Sequence, residues 1–131
     1  MCFLLVGVSV QLLGNERELQ RKEAGELVKI WLTSQRFDTG SPRFALEPDP
    51  DHPTFPDFYF FSPVYEQSES APTLGHFAVN RKTGDVWDWE LCQRLQSGAL
   101  RAAQKSLRKK LGLSEQKYNK FSKLAPCSGP T

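Results

Sequence analysis

Between Asn15 and Gln35 the apolar residues Ala24, Leu27, Val28 and Trp31 recur at i, i+3, i+4, i+7. That spacing predicts a helix with one buried stripe. Glu16, Glu18, Arg21, Lys22, Glu23 and Lys29 mostly fill its wet side, and the helix should stop before "DTGSP", where Gly40 and Pro42 break the pattern. "RFALE" reads as a short edge strand. Pro48, Pro50, Pro53 and Pro56 then crowd "PDPDHPTFPD", which cannot pair in a sheet and so forms a stiff connection. "FYFFSPVYE" is the most strand-like run, aromatic and β-branched, and Pro63 inside it predicts an edge position or a bulge. The polar loop "QSESAPT" leads into "HFAVNRKTGDVWDWELC", residues 76–92.

That stretch predicts a hairpin. A four-residue loop, Arg81 to Gly84, puts glycine at the last loop position, where a left-handed backbone costs it nothing. Asn80 then pairs with Asp85, Ala78 with Trp87 and His76 with Trp89, while Phe77, Val79 and Val86 share the other face. A three-residue loop would slip this register by one. Alternation sends Trp87 and Trp89 to one face, expected to be core beneath the apolar stripe of a helix. Beyond Cys92, Ser97 is the predicted N-cap of a helix with Leu100, Ala103, Leu107 and Leu111 at core spacing. Gly112 ends it, and Ser114 caps a last short helix that ends before Pro126. The order predicts one α+β domain over residues 15–131: an N-terminal helix, an antiparallel sheet of three to four strands, and C-terminal helices.

Length fits this picture, since 131 residues make one domain with a modest core. A net charge of +2 hides an asymmetry. Residues 1–90 carry 8 Lys and Arg against 14 Asp and Glu, while residues 91–131 carry 9 against 1. An acidic body meets a basic tail. The opening "MCFLLVGVSVQLLG" is too short to span a bilayer, for which a helix needs about 20 residues. Residues 1–14 match the length of a signal-peptide core, although no Lys or Arg precedes them and no A-x-A site follows. The alternative is a buried first strand. Export would remove Cys2 and leave an even pair, Cys92 and Cys127, to form a disulfide. Two ordinary buried thiols in a cytoplasmic protein are the alternative. Export places the chain in the periplasm or outside the cell.

Candidate chemistry is sparse. The chain has no CxxC and no Cys/His spacing for zinc, no GxSxG and no HExxH, and no motif that demands a cofactor. His76 lies near the tryptophans, but alternation puts Asp88 on the opposite face, so a catalytic histidine lacks its orienting carboxylate. His52 with Asp49, Asp51 and Asp57 could offer oxygens to Ca²⁺, without the spacing of an EF-hand. Catalytic residues are therefore expected to be absent. The strongest signal is basic: Arg94, Arg101, Lys105, Arg108 and Lys109 gather near one side of a helix, and Lys110, Lys117, Lys120 and Lys123 extend the charge. Such a face can meet phosphates, anionic lipid or a partner, and it can equally face the acidic part of its own chain or stay solvated. Arg101 and Arg108 lie off the leucine stripe, so reversing their charge should spare the fold. With no aromatics interleaved, the face offers bases no stacking platform.

"FAVNRKTGDVWD" resembles the hairpin of PepSY-type and related cystatin-like domains, in which a strand, a Lys-Thr-Gly turn and a second strand pack under a helix. The resemblance covers about a dozen residues. It implies a small, often exported domain that binds or inhibits partners. The basic helices after Cys92 depart from that pattern. Together these readings lead to a non-enzymatic envelope protein that binds another protein, as an inhibitor or immunity-like protein against a secreted enzyme. A cytoplasmic nucleic-acid-binding module using the basic helices is the alternative, and a hydrolase using His76 a third.

Overall fold

In the computed structural model residues 17–67 and 71–127 are described. The segment 1–14, with its export reading, lies outside them. The chain runs α1 (Arg21–Ser34), β1 (Phe44–Pro48), β2 (Phe58–Tyr65), β3 (Phe77–Asn80), β4 (Val86–Asp88), β5 (Gln93–Arg94), α2 (Gly98–Leu111) and α3 (Glu115–Phe121). This is the expected α+β class, with one strand more than expected. The extra strand is only two residues long, and its pairing of Trp87 with Arg94 leaves no periodicity to read.

Each helix begins and ends for a local reason. The Gln20 N–H of α1 donates to the Glu23 carboxylate at 2.8 Å, and Ala24, Leu27 and Val28 are buried as the stripe requires. Ser97 Oγ accepts from Leu100 N–H at 3.1 Å and Ser114 Oγ from Lys117 N–H at 3.2 Å, so both C-terminal helices carry the caps that the sequence announces. Gly112 stops α2 at φ 67°, a conformation that costs other residues energy.

The five strands form an antiparallel meander in sequence order. β3 and β4 pair Phe77 with Asp88, Ala78 with Trp87 and Val79 with Val86, the register of the four-residue loop. Gly84 takes φ 76°, and a Cβ there would stand 3.2 Å from a Leu27 methyl. β2 is an internal strand. Pro63 is fully buried within it, where the β3 ladder has ended at Phe61–Phe77 and only an isolated Val64–Thr73 bridge continues. A missing N–H is tolerated at such a break.

α1 and α2 cover one face of the sheet. The main core joins Leu19, Leu27, Val28 and Leu32 to Phe61, Phe77, Val79, Val86, Leu100, Leu107 and Leu111. On the other face Phe58, Phe60 and Ala78 form a smaller cluster with Phe55, Trp87 and Trp89 against it. The tryptophans therefore share a face, as expected, but it is the one turned away from α1. Alternation fixes that they point together and leaves open which side the helices take. Both rings are half-buried, and their indole N–H groups, themselves buried, meet no acceptor among the described residues.

Candidate partner-binding surface

The basic residues after Cys92 divide into two groups once the helices are in place. Arg94 and Arg108 belong to the fold. Arg94 lies over the Trp87 ring, 5.0 Å from its centroid, and donates to the Ser122 carbonyl, tying β5 to the end of α3. Arg108 reaches into a buried polar knot under the hairpin turn. Its Nη2 meets Asp85 Oδ1 at 2.7 Å, its Nε donates to the Thr83 carbonyl at 2.7 Å, and its guanidinium covers the Tyr118 ring at 4.1 Å. Asp85 is 3% exposed. A carboxylate so buried needs several donors, and it has them: Arg108, the Thr83 hydroxyl at 2.8 Å and the Tyr118 hydroxyl at 3.2 Å. Burial, and then the neighbouring Asp85 charge, push the Tyr118 hydroxyl above its ordinary pKa.

The rest of the turn is equally committed. Buried Asn80 accepts from Lys82 and Thr83 N–H through Oδ1 and donates to the Phe121 carbonyl through Nδ2. Gln104 of α2 donates to the Gly84 carbonyl at 2.9 Å. The Asn-Arg-Lys-Thr-Gly-Asp turn is thus the joint between sheet and C-terminal helices. This corrects the reading of Arg108 as an expendable surface charge. Reversing it sets a second carboxylate against Asp85.

Arg101, Lys105 and Lys109 form the second group. All three are exposed, and none makes an ion pair among the described residues. Position along the helix separates the groups. Arg108 lies only about 20° round the wheel from Arg101, and what sets it apart is its place beside the hairpin turn, within reach of Thr83 and Asp85. Lys105, Arg108, Lys109, Leu113, Ser114 and Tyr118, with the acidic Glu115, line a shallow cleft of about 470 Å³ against α3.

His76 does find carboxylates, by a route that alternation along its own strand does not show. Its Nε2 stands 3.5 Å from Glu90 and its Nδ1 2.9 Å from Ser62 Oγ, which in turn donates to Asp49. Ser62 Oγ donates to Asp49, so its contact with His76 Nδ1 is one in which the imidazole can donate to the hydroxyl oxygen. The chain ties β2, the loop after β1 and the β4–β5 turn together. His52 packs on Phe55 and Phe60, its ring centroid 5.2 and 5.7 Å from theirs, and its Nδ1 accepts from Thr54 N–H. Asp51 pairs with Arg21 and Arg81, both at 2.9 Å, and these guanidiniums hold its carboxyl below the usual range. Among the described residues no cluster of three His, Cys, Asp or Glu is placed to hold a metal.

Cys92 and Cys127 are joined in a disulfide, with Cα atoms 5.7 Å apart. It fastens the tail after α3 to the β4–β5 turn, where Leu91 is 67% exposed and its N–H donates to Asp88 at 3.0 Å. No helix among the described residues is long and apolar enough to cross a membrane.

No family model matches the chain and no curated protein matches it, so the PepSY-type resemblance rests on the hairpin alone. Among solved structures the chain is similar to one from a type VI secretion system effector-immunity complex from Pseudomonas protegens. The likeness has a TM-score of 0.65 and 25% identity, and covers 81% of this chain and 88% of that one.

Proposed function

We propose that this protein is an immunity-type binding protein, which holds a secreted effector enzyme inactive and has no catalysis of its own. The observation that carries the reading is the likeness to a chain of an effector-immunity complex over most of both lengths. The geometry supports it. The one histidine with carboxylate and hydroxyl neighbours is spent on tying strands together, and the buried ions serve the fold. The disulfide fits an oxidising compartment, so we place the protein in the periplasm or outside the cell.

The test is protection. A toxin that binds the tagged full-length chain is produced in the periplasm of a sensitive host, with and without this protein exported beside it. Growth restored only by the exported form supports the reading. Killing that continues at equal expression refutes it.

A further inference from the structure

Resting on that reading, we infer that the docking face is the stripe Arg101–Lys105–Lys109 on α2, and that its partner is an acidic surface of a protein. α2 contains five cations and no Asp or Glu. The fold uses one, Arg108, on Asp85. Arg17 and the Gln20 N–H hold the Glu23 carboxyl below its ordinary range, and Lys110 adds a smaller pull in the same direction. Three remain exposed and unpaired among the described residues, each one helical turn from the next. Like charges at i, i+4 oppose the helix that carries them. Lys109, in the last turn, complements the helix dipole, but Arg101 and Lys105 have no such position and make no ion pair among the described residues.

Carboxylates on a partner would relieve the repulsion and recover the charge as binding. Such a face also speeds encounter and suppresses wrong partners. A protein partner fits better than a nucleic acid for two reasons. The one aromatic lining the cleft beside Lys105 and Lys109, Tyr118, has a ring face covered by Arg108 at 4.1 Å, which leaves a base little to stack on. The chain also carries a net −6 over residues 1–90, a body that repels phosphate backbones while complementing the mixed charge of a protein surface. The buried line Leu100, Gln104, Leu107 and Leu111 lies about 60° or more round the helix from the stripe, whose three side chains are exposed, so the stripe can change without entering the core.

The experiment uses the full chain, the toxin recovered on it, a 20-base-pair duplex and phosphatidylserine vesicles. The variant is Arg101→Glu with Lys105→Glu and Lys109→Glu, checked by circular dichroism and melting temperature. We expect a melt lowered slightly, because Lys109→Glu opposes the helix dipole, toxin affinity about 100-fold weaker with most of the loss in the association rate, and a flattened salt dependence. Replacing the toxin's facing carboxylates by lysine should restore binding to the variant. Toxin binding by the variant at parental affinity and salt slope overturns the stripe while leaving the immunity reading standing. Tight parental binding to the duplex or the vesicles, lost in the variant while toxin binding persists, overturns the protein partner. A parent that binds toxin without blocking it overturns the immunity reading itself.

Discussion

Arg108 and Lys105 are three residues apart on one helix and have opposite uses. Truncating Arg108 to alanine leaves Asp85 buried beside two hydroxyl donors and no cation. We expect a loss of roughly 2–4 kcal/mol, toward the lower end for a buried pair because Arg108 keeps a wet edge. Lys105→Ala should stay within about 0.5 kcal/mol of the parent. Chemical denaturation of the two variants decides between these uses, and equal midpoints would contradict the assignment. Tyr118 gives the knot a pH signature. Its folded pKa is raised, so its neutral form is favoured in the folded state. That stability is full below the unfolded tyrosine value of about 10 and is lost as pH rises through the folded one. Tyr118→Phe should abolish this part of the alkaline loss, and an unaltered alkaline limb in its melting curves would contradict the account.

The β4–β5 turn and the tail after α3 stand or fall together. Their disulfide closes a loop of 35 residues and should contribute about 3–4 kcal/mol in the chain-entropy model. Cys92 also holds φ 50°, a left-handed backbone that costs a residue with a Cβ roughly 1–2 kcal/mol. Reduction, or Cys92→Ser with Cys127→Ser, should lower the denaturation midpoint accordingly, and an unchanged midpoint would show the bridge to be idle. Trp87→Ala should cost about 2–3 kcal/mol, less than the 3–5 of a fully buried aromatic, because its ring is half-buried under Arg94. Much of this element level was legible beforehand. Caps at Ser97 and Ser114, the stop at Gly112 and the hairpin register all follow from local rules. What escaped was long-range. β5 is too short to show a period, the covered face of the sheet is decided by where α1 lies, and the Arg108–Asp85 pair joins residues 23 apart in sequence. A hint of that pair was available: Arg108 leans toward Gln104 on the wheel, and Asp85 follows a turn glycine inside an apolar hairpin.

On the scale of the whole molecule, the acidic body and basic tail are only partly reconciled within the chain. The knot at Asp85 absorbs Arg108, and Asp51 absorbs Arg21 and Arg81, yet the outer stripe of α2 stays unanswered. One main core, a small aromatic face and a disulfide-tied tail hold the fold around that stripe. It presents a charged edge on a regular helix, whose backbone is already ordered before a partner arrives. The central claim is that this edge belongs to a protein whose work is to silence an enzyme. Titration of the toxin's enzymatic activity with the purified full-length protein tests it most directly. Activity should fall linearly to zero at one equivalent of this chain. Activity that persists when the complex is saturated would contradict the account.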